Sequence, residues 1–527
     1  MRIIVLLRAV AVLTAAVIVP LSAQTTYKAE LPRFADPQRR AKLATAFDDI
    51  DRMFTEFAVQ NHVPGAAWGI VIDGELAHAG STGIRDAAKK TPVDADTVFR
   101  IASMTKSFTA MSILKLRDEG QLSLDDPAER YVPELKSLIY PTSDSPRVTI
   151  RHLLSHSEGF PEDNPWGDRQ LAKTDEQLSQ MIEHGIPFSN APGVAYEYSN
   201  YGFAILGRIV TNVSGVPYAD YVAANILTPL GMTSTTLESS RVPADRLAHG
   251  YRWEDDRWKD EPLLPHGAFG SMGGMLTSIR DLSKYVAVFI SAWPPHDGPE
   301  TAPIRRASLR EMQQLWRPGA ASVVRTESGA IQFTAGGYAF GLGVSQNCSF
   351  RQIVSHTGGL PGFGSVMNWL PDYGVGVIAF NNLTYTSGGR IVPAVYERFA
   401  KTGGLQPRTV QPSPALVEAR DNVTKLIASW DDELADRIAS ENLFLDRSKD
   451  RRRREIDDLR AKVGSCRPPA RFDTVENALR GSWTLTCDRG SLRASVTLAP
   501  TMPPTVQFMS VTSAPAVRPT ESSVCPE

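Results

Sequence analysis

Ser103 and Lys106 are the residues from which a chemical function can be argued. They stand three positions apart at the predicted start of a helix that runs to about Gly120. Residues three apart share one helix face, so the hydroxyl and the amine are expected to meet. A serine becomes a nucleophile when a base takes its proton, and a lysine amine that is kept neutral can be that base. The pair therefore predicts covalent catalysis at Ser103.

A second serine–lysine pair with the same spacing, Ser112 and Lys115, lies in the same predicted helix. It lies deeper in the helix, where we expect no opening for a substrate. Ser103 instead stands at the N-terminal end, where free N–H groups and the helix dipole favour a developing oxyanion. The alternative, that Ser103 only caps the helix, stays open on this motif alone.

The second candidate motif is Tyr198-Ser199-Asn200, the only Tyr-x-Asn in the chain. A tyrosine near a lysine can lose its proton and pass one to a leaving group. Asn200 could orient Lys106 and a substrate carbonyl. In the alternative interpretation Tyr198 only packs its ring and Asn200 caps the following helix.

The third candidate motif is His356-Thr357-Gly358-Gly359, at the end of a predicted strand. The sequence at 401–404, Lys-Thr-Gly-Gly, is closer by letters to Lys-Thr-Gly. It closes a predicted helix, however, where lysine and glycine are common. A strand can line a cleft, so we favour His356, with a sheet-edge histidine as the alternative.

Together these motifs resemble the signature of the serine β-lactamase and penicillin-binding-protein superfamily: Ser-x-x-Lys, Ser/Tyr-x-Asn and Lys/His-Thr/Ser-Gly. With a tyrosine as the first residue of its second motif, the chain resembles the class C β-lactamase-like branch. That branch also holds esterases, D-amino acid peptidases and D,D-carboxypeptidases. Residues 150–156, 229–232 and 273–282 also look similar to that branch. The resemblance covers about residues 45–400 and leaves out 405–527.

The resemblance implies acyl transfer through a covalent intermediate on Ser103, with Lys106 or Tyr198 as the base. It also implies an oxyanion hole made by the backbone N–H groups of Ser103 and Gly359. The residues implied to bind or orient the substrate are Asn200, His356, Thr357 and Gly358. No cofactor and no metal are implied.

The third motif has a histidine where β-lactamases have a lysine. Histidine is mostly neutral at pH 7, so it is less suited to a substrate carboxylate than a permanent cation. We therefore expect a serine hydrolase for esters or short peptide-like amides, with weak or absent β-lactamase activity. The alternatives are a class C-like β-lactamase or D,D-carboxypeptidase, and a non-catalytic penicillin-binding or wall-associated protein.

The predicted fold class is mixed α/β: an antiparallel sheet flanked by helices, with an all-helical insertion, as in the β-lactamase/transpeptidase-like fold. A hairpin is predicted to turn at Asp73-Gly74, and further strands at 338–344, 350–358, 364–370 and 374–380. Residues 161–190 are predicted to be irregular and to border a cleft. Cys466 and Cys487 could form a disulfide, which the sequence leaves open.

The predicted domain organisation has six parts. They are a signal peptide at 1–23, a connector at 24–44, the hydrolase domain at 45–404, a linker at 405–414, a small α+β domain at 415–514 and a flexible tail at 515–527. Specificity is expected to lie in the loops at 160–190 and 235–270.

The N-terminus predicts export to the periplasm or secretion. A positive start precedes an apolar run that ends in small residues, the pattern of a signal peptide. Arg8 and Pro20 leave only 11 uninterrupted residues between them, too few to span a bilayer, so no stable membrane anchor is expected. A net charge of -2 gives no reason to expect nucleic acid as a partner. The expected partner is a small ester, amide or peptide-like substrate, and the oligomeric state is open.

Overall fold

The computed structural model describes residues 27–325, 331–468 and 471–514, which form two compact units. The larger unit runs from Phe34 to Arg408. The smaller one contains the described residues from Thr409 onward together with residues 27–33. The predicted signal peptide at 1–23 and tail at 515–527 lie outside the described residues.

The larger unit mixes strands and helices along the whole of its length. Its strands are β1 (Gly65–Ile72), β2 (Glu75–Asp86), β3 (Thr91–Pro92), β4 (Phe99–Arg100), β5 (Gly250–Glu254), β6 (Arg257–Glu261), β7 (Leu276–Thr277), β8 (Arg317–Pro318), β9 (Ser322–Arg325), β10 (Ile331–Tyr338), β11 (Gly343–Asn347), β12 (Ile353–Leu360), β13 (Phe363–Leu370) and β14 (Val375–Asn381). Its helices are α1 (Arg39–Ala44), α2 (Phe47–Gln60), α3 (Thr105–Asp118), α4 (Ile150–Leu154), α5 (Asp175–Glu183), α6 (Asn200–Ser214), α7 (Tyr218–Val222), α8 (Gly270–Gly273), α9 (Ile279–Ser291), α10 (Arg306–Glu311) and α11 (Val392–Lys401).

A ten-stranded sheet runs through this unit in the order β3-β2-β1-β14-β13-β12-β11-β10-β8, and β9 pairs with β10. The pairings along this order are antiparallel. The β1–β2 hairpin turns at Asp73 and Gly74, as predicted. The predicted strand at 338–344 is wrong, because Tyr338 ends β10 and pairs across a turn with Gly343, the first residue of β11. Gly341, at a φ of +69°, supplies the left-handed conformation of that turn.

Both faces of the sheet are covered, so its central strands are apolar on both sides. In β1, Trp68 and Ile70 belong to one buried cluster, whereas Ala67 and Val71 belong to the other. Helices α2 and α11 contribute to the first cluster, and α3 and α9 contribute to the second. The alternation follows from the two-residue period of a strand. The predicted mixed α/β fold, an antiparallel sheet flanked by helices, is confirmed.

The insertion predicted to be all-helical lies between β4 and β7, which pair with each other, but it is only mainly helical because it contains the β5–β6 hairpin. Two further parts of the unit differ from the prediction. Within the stretch predicted to be irregular, α5 forms behind a reciprocal capping box between Thr174 and Gln177. Within the predicted connector, α1 buries Leu43 in the core.

The smaller unit is an α+β structure with its own core. Its helices are α12 (Pro414–Ala428), α13 (Asp432–Ile438) and α14 (Lys449–Val463), and its strands are β15 (Thr474–Asn477), β16 (Arg480–Cys487), β17 (Gly490–Leu498) and β18 (Val506–Ala514). The four strands form one sheet in sequence order. Cys466 and Cys487 form the disulfide that the sequence left open. In neither unit does a described helix combine the length and the apolar character that crossing a membrane requires.

Candidate active site

Ser103 lies in a single 3-10 turn, Ala102–Met104, that leads from β4 into α3. Ala102 has a φ of +50°, a left-handed conformation that is uncommon for a residue with a Cβ. The backbone N–H of Ile101 donates to the carbonyl of Met275 at 3.0 Å, which ties the start of this turn to the segment before β7. The turn places Ser103 in the wall of a cleft, with 8% of its surface exposed.

Lys106, one helical turn later, is fully buried beneath Ser103. Its Nζ lies 3.1 Å from Ser103 Oγ, 2.6 Å from Asn200 Oδ1 and 2.9 Å from the Met272 carbonyl oxygen. Burial disfavours the charged amine and lowers the pKa of Lys106 to about 7, against the opposing pull of nearby acids, of which Asp168 is the strongest.

These three neighbours suit a neutral amine. An –NH₂ group has two N–H donors and one lone pair, and Lys106 meets two oxygens that can only accept, from Asn200 and Met272. Both N–H bonds are then used, which leaves the lone pair for the third neighbour, Ser103 Oγ. The geometry allows Lys106 to accept the proton of Ser103.

The Tyr198–Asn200 turn is held in place by the start of α6. Ser199 caps the helix by accepting the N–H of Gly202 at 3.0 Å, so the alternative in which Asn200 is the cap is wrong. The Asp163 carboxylate accepts the backbone N–H groups of Asn200 and Tyr201, each at 2.8 Å. The Asn200 side chain is therefore free to reach Lys106.

Tyr198 lies over the same amine. Its ring centre is 4.7 Å from Lys106 Nζ, and Tyr198 and Ser103 line the same cleft. Burial raises the pKa of Tyr198 well above its usual value, which keeps the phenol protonated at neutral pH. The site of Ser103 thus holds a lysine that loses its proton readily and a tyrosine that does not.

His156, which the sequence reasoning did not select as a site residue, links the second and third motifs. Its ring lies 4.3 Å from the Tyr198 ring and 4.5 Å from the Tyr338 ring, centre to centre. Its Nδ1 accepts the backbone N–H of Ser199 at 3.1 Å. Burial lowers the pKa of His156 well below its usual value, so the imidazole is neutral. His156 holds the Tyr198 turn from behind.

His356 lies on β12 with both ring nitrogens hydrogen-bonded inside the protein. Nδ1 donates to the Thr357 carbonyl at 2.6 Å, and Nε2 accepts the Tyr338 hydroxyl at 2.8 Å. Burial, reinforced by the charge of Lys106, lowers the pKa of His356 to about 3. His356 lines the cleft as a neutral group.

The glycines of the third motif face different surroundings. A Cβ on Gly358 would lie 2.2 Å from the Ile101 carbonyl oxygen, so glycine is needed where β12 passes the Ser103 turn. Gly359 lines the cleft, as Thr357 does. The pairing of β11 with β12 ends at Ser355. On that side of β12, the strand edge beyond Ser355 borders the cleft.

The cleft has a volume of about 580 Å³. Asp168 and Tyr385, which the sequence reasoning also missed, line it together with Ser103, Tyr198 and His356. A second cavity, of about 630 Å³, is lined by residues 160–201 and does not include the serine. Within the described ranges, no group of three or more His, Cys, Asp or Glu side chains is placed to hold a metal ion.

The competing motifs lie elsewhere. Ser112 donates its hydroxyl to the Phe108 carbonyl at 2.9 Å inside α3, and Lys115 pairs with Glu119 at 2.8 Å. Lys401 is the last residue of α11, where the Lys-Thr-Gly-Gly sequence only ends the helix. Neither pattern lines the cleft.

Comparison with known proteins gives one family. Residues 50–400 match the family described as Beta-lactamase. Protein flp of Staphylococcus aureus (strain NCTC 8325 / PS 47) is 27% identical over 344 residues, which are 64% of this chain and 63% of that protein. Penicillin-binding protein 4* of Bacillus subtilis (strain 168) is 26% identical over 305 residues, which are 56% of this chain and 62% of that protein. The chain thus spans less than two thirds of the length of these curated relatives.

Two solved structures share the fold. The octameric penicillin-binding protein homologue from Pyrococcus abyssi aligns with a TM-score of 0.58 and 22% identity, covering 90% of this chain and 94% of that one. A penicillin-binding protein from Bacillus halodurans aligns with a TM-score of 0.51 and 23% identity, covering 67% of this chain and 99% of that one.

Proposed function

The chain belongs to the β-lactamase family, and we propose that it is a serine hydrolase that cleaves an ester or peptide-like amide bond through an acyl-enzyme on Ser103. One observation carries the proposal. Lys106 Nζ lies 3.1 Å from Ser103 Oγ at the wall of the cleft, and its other two neighbours are oxygens that only accept hydrogen bonds.

In the acylation step, neutral Lys106 takes the proton of Ser103 as Oγ attacks the substrate carbonyl carbon. Lys106 is the better base of the two candidates because burial lowers its pKa to about 7, whereas burial raises the pKa of Tyr198 well above its usual value. The backbone N–H groups of Ser103 and Gly359 bind the oxyanion of the tetrahedral intermediate.

When that intermediate collapses, Tyr198 gives its proton to the leaving alcohol or amine and regains one from protonated Lys106. The Lys106 amine lies 4.7 Å from the centre of the Tyr198 ring and 3.1 Å from Ser103 Oγ, so the three groups are neighbours in the site. In deacylation a water molecule attacks the acyl-enzyme, its proton passes to the same pair, and Ser103 is restored. Asn200 orients Lys106 throughout, through its 2.6 Å contact with Nζ.

Esters and short amides are the favoured substrates over penicillins. The third motif offers the cleft a neutral His356, whose two nitrogens are already used by Thr357 and Tyr338. A substrate carboxylate would therefore lack the cation that a lysine supplies at this position in β-lactamases. Class C-like β-lactamase and D,D-carboxypeptidase activity are the alternatives, and the substrate panel below includes a substrate for each of them.

We also propose that the protein is exported to the periplasm or secreted. The support is the sequence pattern at residues 1–23. Cell fractionation of the full chain, with N-terminal sequencing of the recovered protein, tests this. Recovery from the cytoplasm with residue 1 intact would contradict it.

Labelling with a fluorescent fluorophosphonate tests the nucleophile. Wild type and Ser112→Ala are expected to label, whereas Ser103→Ala is expected not to. Equal labelling of wild type and Ser103→Ala would rule out Ser103, and no labelling of any form would favour a non-catalytic protein.

A substrate panel then tests the chemistry. It contains p-nitrophenyl esters, aminoacyl p-nitroanilides, a D-alanyl-D-alanine peptide and nitrocefin. Hydrolysis of the esters or anilides that Ser103→Ala abolishes supports the proposal. Efficient nitrocefin hydrolysis that depends on Ser103 would overturn the preference against β-lactams, and efficient cleavage of the D-alanyl-D-alanine peptide would favour a D,D-carboxypeptidase.

A further inference from the structure

Asp168 is a buried acid in the wall of the cleft that the proposed mechanism does not use. Its exposed fraction is 3%, and it lines the same cleft as Ser103. The Tyr385 hydroxyl donates to its Oδ2 at 3.0 Å. Its other oxygen, Oδ1, accepts no hydrogen bond from the described residues. A carboxylate so placed has unused capacity to accept a donor from a ligand.

Tyr385 connects this acid to the reacting centre. A Cβ on Gly359 would lie 2.8 Å from Cδ1 of Tyr385, so the tyrosine ring rests directly on the strand that we propose contributes to the oxyanion hole. Tyr385 also has a φ of +56°, a conformation that is uncommon for a bulky residue and that costs energy to hold. Tyr385 therefore links Asp168, through one hydrogen bond, to the strand of the proposed oxyanion hole.

Among the described residues, no permanently charged cation lines the cleft beside this acid. Neither lysine nor arginine is among the residues that line the cleft. Arg169, the next residue along the chain, is directed to Glu261, 3.9 Å away, and its side chain is 56% exposed. Lys106 is a buried amine that interacts with Asp168 electrostatically, and burial lowers its pKa to about 7. In the described part of the chain, no ion pair within 4.0 Å involves Asp168.

The cleft thus favours a positively charged ligand over a negatively charged one. An ionised carboxylate with little solvent around it and no ion-pair partner is stabilised by a cationic ligand. The same charge repels a substrate carboxylate, which also finds His356 neutral and hydrogen-bonded to Tyr338. The carboxylate of Asp168 and the lack of a lysine or arginine in the cleft lining therefore both favour a substrate that carries a positive charge.

We propose that Asp168, positioned by Tyr385, binds a protonated amino group on the acyl part of the substrate, so that aminoacyl esters and amides are the preferred substrate class. The inference rests on the proposed hydrolysis at Ser103. Burial raises the pKa of Asp168 to about 6, which still leaves the carboxylate mostly ionised at pH 7. An α-amino group is mostly protonated at that pH.

The test compares three substrates that differ only at the amino group: alanine p-nitroanilide, its N-acetyl derivative and the propionyl p-nitroanilide, which lacks the nitrogen. Both enantiomers of the two alanine compounds are assayed. Wild type is expected to have a kcat/KM for one enantiomer of the free amine about ten- to a hundredfold above both neutral compounds, the range for a hydrogen bond between charged partners. Asp168→Asn is expected to bring this ratio close to one.

The ratio separates this role from an effect on Lys106. If Asp168 acted only through the charge of Lys106, Asp168→Asn would change kcat/KM for all three substrates by the same factor and leave the ratio unchanged. That result would overturn the inference, as would a wild type that turns over the propionyl compound as well as the free amine. Tyr385→Phe supplies a second variant that keeps the carboxylate but removes its positioning hydrogen bond. It is expected to lower the ratio only a few-fold, and a ratio equal to that of wild type would contradict the positioning role.

Failure of this inference and failure of the proposed function give different results. If Ser103→Ala hydrolyses the anilides as fast as wild type does, the proposed function itself is wrong. If hydrolysis depends on Ser103 but wild type does not discriminate between the free and the blocked amine, only the inference about Asp168 is wrong.

Discussion

Replacing Asn200 by aspartate is a sharp test of Lys106 as the general base. The change keeps the shape of the side chain but places a negative charge where Asn200 Oδ1 now lies 2.6 Å from Lys106 Nζ. The second oxygen of the new carboxylate would face Asn164, which now accepts from Asn200 at 2.7 Å. Asn164 can turn its amide to donate instead, so the site can accommodate the change sterically.

The expected effect follows from the pKa of Lys106. An opposite charge within a few ångströms raises the pKa of a lysine by about 1–3 units. Burial sets the pKa of Lys106 to about 7 in the wild type, so about half of the lysine is neutral at pH 7. In Asn200→Asp that fraction falls to between about a tenth and a thousandth, which lowers kcat/KM at pH 7 about 5- to 500-fold. Because the neutral lysine is the active form, activity in both proteins increases with pH, and the variant needs the higher pH.

The measurement is kcat/KM for p-nitrophenyl acetate between about pH 5 and pH 10, with the rate of Ser103→Ala subtracted at each pH. The wild-type curve is expected to rise with a midpoint near pH 7, and the Asn200→Asp curve to rise at higher pH and approach the wild-type plateau. The matched control is Asn200→Ala, which removes the acceptor without adding charge. It is expected to be less active without an upward shift of the midpoint.

Two outcomes would refute the reasoning. A midpoint that Asn200→Asp leaves unchanged would mean that the titrating group is not Lys106. A wild-type rise that begins only near the pKa of a phenol would make Tyr198 the base. Thermal unfolding of both variants, measured alongside, shows whether a loss of activity reflects a loss of fold.

Three further predictions concern stability. Gly358→Ala is expected to lower the unfolding free energy by about 1–3 kcal/mol and to lower activity, because its Cβ would meet the Ile101 carbonyl oxygen behind the Ser103 turn. Urea unfolding measures the stability and kcat measures the activity. Wild-type values of both would contradict the close approach. The double variant Cys466→Ser, Cys487→Ser is expected to destabilise the smaller unit by about 3 kcal/mol, because the disulfide closes a loop of 21 positions of sequence. Limited proteolysis measures this, and cleavage no faster than in wild type would disprove it. Tyr338→Phe leaves Nε2 of His356 without its donor, so urea unfolding is expected to report a loss of about 1–3 kcal/mol, and an unchanged stability would show that another donor replaces the phenol.

The sequence could predict the parts of the site that local spacing determines. Ser103 and Lys106 meet because three residues make almost one helical turn, and Asn200 reaches Lys106 from a motif that occurs once. The choice of His356 over the Lys-Thr-Gly sequence at 401–404 used only the predicted element on which each lies. These are short-range arguments, and the structure brings Ser103 and His356 to one cleft, with Lys106 and Asn200 hydrogen-bonded beneath Ser103.

The residues that the sequence reasoning missed reach the cleft through long-range packing. Asp168 and Tyr385 are 217 positions apart and meet only in the folded chain. The His156 ring contacts the Tyr198 and Tyr338 rings at a tilt, again across the fold, and its place in the stretch 150–156 does not by itself indicate a role in the site. Helix α5 was missed because its surface is polar and only Leu178 and Ile182 are buried, although its capping box is visible in the sequence.

The acids around Lys106 oppose the proposed mechanism, because carboxylates favour a charged lysine and the mechanism needs a neutral one. Asp163 is already engaged by the backbone N–H groups of Asn200 and Tyr201 at a helix N-terminus, where the helix dipole offsets negative charge. Asp168 is the acid with the largest remaining effect on the pKa of Lys106.

A substrate ammonium bound to Asp168 would offset that charge and so lower the pKa of Lys106 further when the substrate is in place. If both proposals hold, an aminoacyl substrate does more than fit the cleft, because its own charge favours the neutral lysine that activates Ser103. The pH midpoint of kcat, which reports the enzyme–substrate complex, should then be lower for the free amine than for the propionyl compound. Equal midpoints for the two substrates would mean that the bound ammonium and the lysine do not interact.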